Sequence, residues 1–384
     1  MIFVFLLTLF LLFYGIIEKK RYLKSLKKIR VRIQVNGIRG KSTMVKMIVD
    51  LFSNAGWSVA GRVTGETPQF YVHDSGWQDQ RRKGQARIKE VQDFVSCCDK
   101  LNRNAIIVEN MALAPEYQYI LEKEMLKSTT AVITNFRPDH LEVIGRTREE
   151  IIETLSLSLP ANGNFIIVEN CCSDLHQRNI ELVSNGSNKT QTKNGDQKVI
   201  SDPFEKNYCI LERLSDLYDM YPNWWSKTVA DWRKKLLPQN YMRTVKFNGK
   251  DKIFIDLFTC NDIESTEIIL KYLEDSELIH PPYGFILTCR ENRPLRTMSF
   301  LEWICAGENW TRLQICGSYP ALAVQRSLSG KLLKNQQVKK YLTIQPEKII
   351  DKAFENNDVV VGVGNYVRTG EKILSYLEGI QNDS

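Results

Sequence analysis

Beyond its first 32 residues this 384-residue chain has no charge surplus of either sign. Eight of its 52 basic groups and one of its 45 acidic groups lie within residues 18–32 (EKKRYLKSLKKIRVR), which leaves 44 of each for residues 33–384. The isoelectric point near 8.8 is therefore the property of a short collar. A broadly basic, nucleic-acid-binding body is excluded. The nine cysteines form no C-x-x-C pair, and the four histidines stand at no metal-ligand spacing from them. Zinc ribbons and dithiol redox motifs are excluded. The adjacent pairs Cys97-Cys98 and Cys171-Cys172 cannot bridge within themselves, so the cysteines read as reduced, buried thiols of a cytosolic body. There is no internal repeat and no heptad array. A hydrophobic content of 43% with 25% charged residues excludes general disorder.

Residues 1–17 (MIFVFLLTLFLLFYGII) carry no charge at all. As a helix they reach about 25 Å, near the lower limit for a membrane span. A cleavable signal peptide would place basic residues before the apolar run and small residues after it. Here the charge follows and no A-x-A site exists. The positive-inside rule puts Lys19, Lys20, Arg21, Lys24, Lys27 and Lys28 in the cytoplasm. A single-pass cell-membrane protein with a cytoplasmic body is expected.

From residue 31 short apolar runs alternate with helical stretches. Strands are expected at Val31–Val35, Ser58–Val63, Ala105–Val108, Ala131–Thr134 and Phe165–Val168, with helices over 41–55, 87–102, 115–127 and 147–159. This rhythm predicts βαβ units around a mostly parallel sheet. The polar stretch 184–198 reads as a surface loop. Helices follow around 207–220 and 223–236, and Pro238 breaks the chain. The rhythm then restarts, with strands near 252–257, 284–289, 312–316 and 358–363 and helices near 264–274, 296–305, 319–328 and 367–378. The expected organisation is an anchor over 1–17, a basic juxtamembrane segment over 18–30, one α/β domain over 31–238 and a second over 239–384.

The strongest local motif is Asn36-Gly37-Ile38-Arg39-Gly40-Lys41-Ser42-Thr43, placed between a strand and a helix. Glycines there let backbone N–H groups and a helix N-terminus surround phosphate oxygens. Lys41 can neutralise phosphate charge, and the Ser42 hydroxyl can hold Mg²⁺. The full Walker pattern wants a glycine at position 35, which is Val35, so the motif is the shorter G-x-x-G-K-S-T. Glu109 ends one strand-like run. Asp139 and His140 follow another. Ligands of open α/β sheets collect at the carboxyl ends of strands, so Glu109 and His140 are candidate metal ligands beside the loop. His73, His176 and His280 lack such a context and read as structural.

These stretches, with Thr64-Gly65, E-N-M-A-L at 109–113, T-N-F-R-P-D-H-L-E-V-I-G at 134–145, and Asn261-Asp262 with Ser265-Thr266, together resemble the ligase subunit of poly-γ-glutamate synthase. That is the PgsB/CapB family, related to the Mur ligases and folylpolyglutamate synthases. The resemblance covers nearly the whole chain, with 170–240 the weakest part. It implies a P-loop ATPase domain like the central domain of Mur ligases, followed by a Rossmann-like α/β domain. It implies ATP-dependent amide ligation with Mg²⁺: a γ-carboxylate activated as acyl phosphate is joined to the amine of glutamate, releasing ADP and phosphate. Lys41 falls on the ATP phosphates and Ser42, Glu109 and His140 on the metal. Arg243 falls at a hinge arginine for the γ-phosphate, Asp262 at a ribose contact and Asn207 at an adenine contact. Thr64, Gly65, Arg290 and Arg293 are implied on the substrate side, where two guanidiniums could grip carboxylates bidentately. The implied partners are glutamate, the growing poly-γ-glutamate chain and small membrane subunits of a synthase and export complex, with self-association left open. Two departures stand out. No lysine lies between His140 and Pro160, where many Mur ligases carry a carbamylated one, and the family's T-G-T is Thr64-Gly65-Glu66. A Mur-type ligase for another acceptor, or an anchored P-loop NTPase without ligase activity, are the competing readings.

Overall fold

The structure is a computed structural model that describes residues 1–64, 68–72, 75–80, 87–137, 143–167, 180–182, 202–260, 262–291, 293–318, 324, 328 and 336–382. The chain divides into two compact units, residues 1–193 with 204–233, and 194–203 with 234–384.

The first unit opens with a single helix, α1 (Ile2–Lys28), in which the apolar run and the collar are continuous. It is long and apolar enough to cross a membrane, and its apolar part is exposed. Next come β1 (Val31–Asn36), α2 (Lys41–Asn54), β2 (Val59–Val63), β3 (Gln69–Val72) and β4 (Gly76–Asp79). They are followed by α3 (Glu90–Lys100), β5 (Ala105–Glu109) and α4 (Pro115–Ile120), which widens into a π-helical turn at Leu121–Leu126. After β6 (Thr130–Ile133) come α5 (Arg148–Ser156), β7 (Asn164–Ile167), β8 (Ile180–Leu182), α6 (Glu205–Leu217) and α7 (Pro222–Leu236). Among the described residues the sheet runs β4-β3-β2-β5-β1-β6-β7-β8. It is parallel from β2 to β8, while β3 and β4 add an antiparallel hairpin at one edge. Apart from half-buried Arg32 the central strands are buried along their length, as a sheet covered on both faces requires.

Arg32 ties the anchor helix to this sheet. Its guanidinium donates to the carbonyls of Leu26 and Ile29 at the end of α1, at 3.2 and 2.6 Å. It also reaches those of Leu126 and Lys127 at the end of the π-helical turn, the shortest contact being 2.8 Å. Helix C-termini leave carbonyls without partners and carry partial negative charge, so one cation satisfies two helix ends. Tyr22 adds a bond to the Met125 carbonyl, and Lys28 pairs with Asp99 at 2.8 Å.

The second unit contains β9 (Met242–Phe247), β10 (Lys250–Asp256), α8 (Ile263–Asp275), β11 (Tyr283–Cys289), α9 (Pro294–Ala306) and β12 (Trp310–Gly317). It ends with β13 (Gln337–Tyr341), α10 (Pro346–Phe354), β14 (Val359–Val363) and α11 (Glu371–Asn382). The sheet order is β13-β12-β11-β14-β10-β9, parallel except for β9. Two apolar cores cover its faces. One is built on Phe285, Leu287, Phe300 and Trp310, the other on Phe254, Phe258, Phe354 and Leu377.

The expected strands form within about two residues of their predicted limits, except that Val168 lies outside the described residues. The 115–127 helix is α-helical only at its start, before the π-helical turn. The strands β3, β4, β8, β9 and β13 and the helix α10 were not anticipated. The stretch 184–198 and most of the 319–328 helix lie outside the described residues. The seven described cysteines are free thiols, five of them buried; Cys171 and Cys172 lie outside the described residues.

Candidate functional site

The loop 37–40 leaves β1 at the centre of the first sheet, between β5 and β6. Two glycines shape it. Gly37 has φ 119° and Gly40 φ 76°, a region that costs side-chain-bearing residues strain. A Cβ on Gly37 would also run into the Thr134 hydroxyl and lie 3.0 Å from the Thr134 backbone nitrogen. Gly40 supplies no side-chain cap to α2. The first-turn N–H donors of α2 are therefore not capped by the protein side chain that usually takes them, the condition for an anion seat.

The loop is clamped by the end of β6. Asn135 accepts from the Arg39 N–H at 3.2 Å and donates to the Arg39 carbonyl at 2.9 Å. Thr134 donates to that same carbonyl at 2.6 Å. Lys41 Nζ lies on the carbonyls of Gly37 and Ile38, at 2.7 and 3.2 Å.

Glu109, at the carboxyl end of β5, closes the other side. Its Oε2 accepts from the Ser42 hydroxyl at 2.9 Å and from the Thr64 backbone N–H at 2.9 Å. The residue is buried. Ser42, Glu109 and Thr64, three separate sequence expectations, thus meet where the first turn of α2 faces the ends of β5 and β2. A hydroxyl and a carboxylate suit Mg²⁺, a hard cation that prefers oxygen. Among the described residues there is no cluster of three His, Cys, Asp or Glu side chains fit for a metal. Asp139, His140, Gly65 and Glu66 lie outside the described residues.

Asn36 faces inward. Its amide nitrogen donates to Gln118 at 2.9 Å and to Ser158 at 2.8 Å, and its oxygen accepts from the Gly37 N–H at 2.8 Å. Gln118 also accepts from Asn110 at 2.7 Å, and Asn110 donates to Gln34 at 2.6 Å. Gln34 donates to Glu122 at 2.9 Å. All six of these side chains are at most 2% exposed. Glu122, on the π-helical turn, also accepts from Ser128. Burial pushes the Glu122 carboxyl above its ordinary value, and the Ser128 bonds offset that only in part. Buried polar groups demand partners, and here the partners form one continuous chain ending on the loop. Asn36 was expected at the nucleotide, whereas its side chain works from beneath the loop. The signal in the sequence was Gln34, a lone amide inside an apolar strand.

Asn207 sits half-buried in the first turn of α6, and Arg39 and Thr43 are half-buried on the loop and on α2.

In the second unit, the expected residues collect at the carboxyl ends of neighbouring strands β10, β14 and β11. Asp262 caps α8, accepting from the Ser265 N–H at 2.8 Å and from its hydroxyl at 2.9 Å. Arg290 and Arg293 occupy the turn between β11 and α9, closed by the Arg293 N–H on the Arg290 carbonyl at 3.1 Å. Asn292 lies outside the described residues. Thr288, at the end of β11, clasps Asn365 after β14. Its hydroxyl donates to the Asn365 carbonyl at 2.7 Å, and the Asn365 amide donates back to the Thr288 carbonyl at 3.0 Å. Arg243, on β9, pairs with Glu378 at 2.9 Å and Asp256 at 3.5 Å. Burial raises the Asp256 carboxyl, and Arg243 opposes the shift.

Comparison with known proteins shows what the whole chain is similar to. Residues 242–380 match the family model of the poly-gamma-glutamate synthase CapB C-terminal domain. The chain is 28% identical over 306 residues to the capsule biosynthesis protein CapB of Bacillus anthracis, a match covering 76% of this chain and 64% of that protein. It is 25% identical over 373 residues to the PGA synthase CapB of Bacillus subtilis (strain 168), covering 94% and 93%. In fold it is similar to the bifunctional folylpolyglutamate synthase/dihydrofolate synthase of Yersinia pestis complexed with AMPPNP and Mn, with TM-score 0.60, 12% identity and coverage of 94% and 92%. It is also similar to E. coli FolC in complex with ADP, with TM-score 0.58, 13% identity and coverage of 95% and 93%. The chain therefore has the folylpolyglutamate synthase and Mur ligase fold, and the resemblance read from its motifs is borne out.

Proposed function

We propose, from its kinship to the CapB proteins, that this chain is the ATP-dependent γ-glutamyl ligase of poly-γ-glutamate synthesis. The observation that carries the reading is the contact of Ser42 with Glu109 beside the uncapped N-terminus of α2. A carboxylate is a poor acyl donor because its leaving group is oxide, and phosphorylation supplies a better one. Transfer from ATP needs charge neutralisation around the γ-phosphoryl group. Lys41 supplies a cation at the loop, and the N–H groups of α2 supply fixed dipoles. Mg²⁺, held by Ser42 and Glu109 with His140 as the further ligand, would neutralise phosphate charge. The loop clamp of Thr134 and Asn135 keeps the donors oriented before ATP arrives, which lowers the reorganisation needed in the transition state.

The second unit contributes Arg243, Asp262, Arg290 and Arg293 in this proposal, the last two as a carboxylate grip for glutamate. The charge-balanced body supports local recognition of the polyanionic product over a broad basic field. The apolar α1 and its following cations support a single-pass topology with the body cytoplasmic, where small membrane subunits could take over the polymer. ADP release from the full chain, measured with and without glutamate, tests the reading. Glutamate-dependent release that vanishes in Lys41→Ala, with a polymer product, is the expected result. Amino-acid-independent hydrolysis would favour a plain NTPase, and dependence on a different acceptor another Mur-type ligase.

A further inference from the structure

Where α1 passes from its apolar run into the collar, it does not lie flush against the body. A cavity of about 520 Å³ opens between it, α3 and the π-helical turn. Its lining changes character along the helix axis. Tyr14, Gly15 and Ile17 line one end and belong to the apolar run. Below them the lining is charged, with Glu18, Lys19 and Arg21 on α1, Lys89 and Asp93 at the start of α3, and Glu124 on the π-helical turn. The lined stretch of α1, Tyr14 to Ser25, spans about 16 Å at the helical rise. Lys19 is paired with Glu124 at 3.3 Å. Arg21, Lys89, Glu18 and Asp93 are exposed.

We propose that this cavity is a binding site for one membrane phospholipid. The headgroup phosphate would sit on Arg21 and Lys89, and the acyl chains would follow Tyr14 and Ile17 into the bilayer. The inference rests on the reading of α1 as a membrane span, which puts the apolar-to-charged transition at the level of the headgroups. Three arguments select this occupant. Along α1 the lining passes from the uncharged Tyr14, Gly15 and Ile17 to the charged Glu18, Lys19 and Arg21, the order of a lipid from chain to headgroup, and it closes on Tyr22, Leu23 and Ser25 against Gln92 and Ser96. Its cations and anions are equal in number, which complements a headgroup carrying both a phosphate and an ammonium. One wall is the body's own α3, so the ligand would join anchor to body. A surface held only by general basic attraction would instead use the outward collar, where Lys20 and Lys24 are exposed and outside the lining.

The test uses the full chain reconstituted in vesicles of phosphatidylethanolamine and phosphatidylglycerol, then extracted into mild detergent for native mass spectrometry. The wild type is expected to keep one phospholipid. Arg21→Gln with Lys89→Gln should lower that occupancy at least tenfold, while Lys20→Gln with Lys24→Gln leaves it unchanged. ATP turnover should stay within twofold in both. Retention in the Arg21/Lys89 variant overturns the site. Equal loss from the Lys20/Lys24 variant also overturns it, since that is surface electrostatics. Occupancy that disappears when another membrane protein is co-expressed and bound would assign the cavity to a partner helix and overturn it too. Carbonate extraction separates a different failure: release of the chain from the vesicles would sink the span, and the site with it.

Discussion

The two parallel sheets hold their carboxyl-end residues in opposite ways. In the first, polar side chains run through the sheet interior from Glu122 to Asn36 and end on the phosphate loop. In the second, the interior of β14 and β11 is apolar, and order at the tip comes from one clasp between Thr288 and Asn365. A loop that must present several donors to a polyphosphate needs its backbone fixed from below. A turn that presents two long guanidiniums needs only its ends fixed, because Arg290 and Arg293 can adapt. A similar contrast holds between half-buried Arg32 and buried Lys252. Arg32 closes two helix ends in the first sheet, whereas Lys252 closes one region in the second, donating to the Phe354 and Asn357 carbonyls at 2.9 and 2.7 Å.

The strongest break in this contrast is Glu109→Gln. Its carboxylate is shared by Ser42 and Thr64, so the change removes the charge without emptying the space. ADP release is expected to fall by about 10²–10³-fold, the size seen when one preorganised transition-state group is lost, while the melting temperature moves by no more than a few degrees. A steady-state ADP assay and a melt on one preparation check both halves, and near-normal turnover would detach Glu109 from the chemistry.

Next comes Gln34→Leu, which leaves Glu122 and Asn110 each short of a buried partner. The cost is about 1–3 kcal/mol per orphaned group. The KM for ATP should rise as the loop loses its support. Thr288→Val removes one hydroxyl that serves Asn365, and should cost about 1–2 kcal/mol while raising KM for glutamate and sparing that for ATP. If both variants raise KM for ATP alike, the two sheets are not distinguished as described. Arg32→Met is expected to cost about 2 kcal/mol, since the carbonyls it serves at two helix ends lose a charged donor. Thermal melts of the detergent-solubilised chain measure it.

How far the sequence carried the reading follows from these same residues. The central strands were legible because each is a short apolar run, and G-I-R-G-K-S-T announced the loop. The edge strands were not. Lys246 in β9 and Lys339 and Lys340 in β13 are exposed on strands with a single neighbour, and charge is how edge strands avoid pairing with other chains. Their composition is that of a loop. The polar chain was illegible for another reason. Gln34 meets Glu122 across 88 positions and Asn36 meets Ser158 across 122, so no local pattern relates them. Asp262 shows a third kind of limit. A family position suggested a ribose contact, while the sequence D-I-E-S also encodes an N-cap, and the carboxylate caps α8.

The smallest effect expected is a pH dependence at Glu122. Burial raises its carboxyl above the ordinary 4.5. As pH climbs past 4.5 the unfolded chain releases this proton while the folded chain keeps it. Folding then binds a proton, and stability falls with rising pH until the folded carboxyl has also ionised. The slope from one group cannot exceed about 1.4 kcal/mol per pH unit. Glu122→Gln keeps an acceptor for Gln34 and Ser128 but has no proton to lose. The difference in melting temperature, variant minus wild type, should therefore grow in the variant's favour as pH rises from 4.5, and then level off. Other titrating groups cancel in the difference. Parallel melting curves across that range would mean that the carboxyl ionises as freely folded as unfolded, and the interior of the first sheet would then be wetter than that of the second.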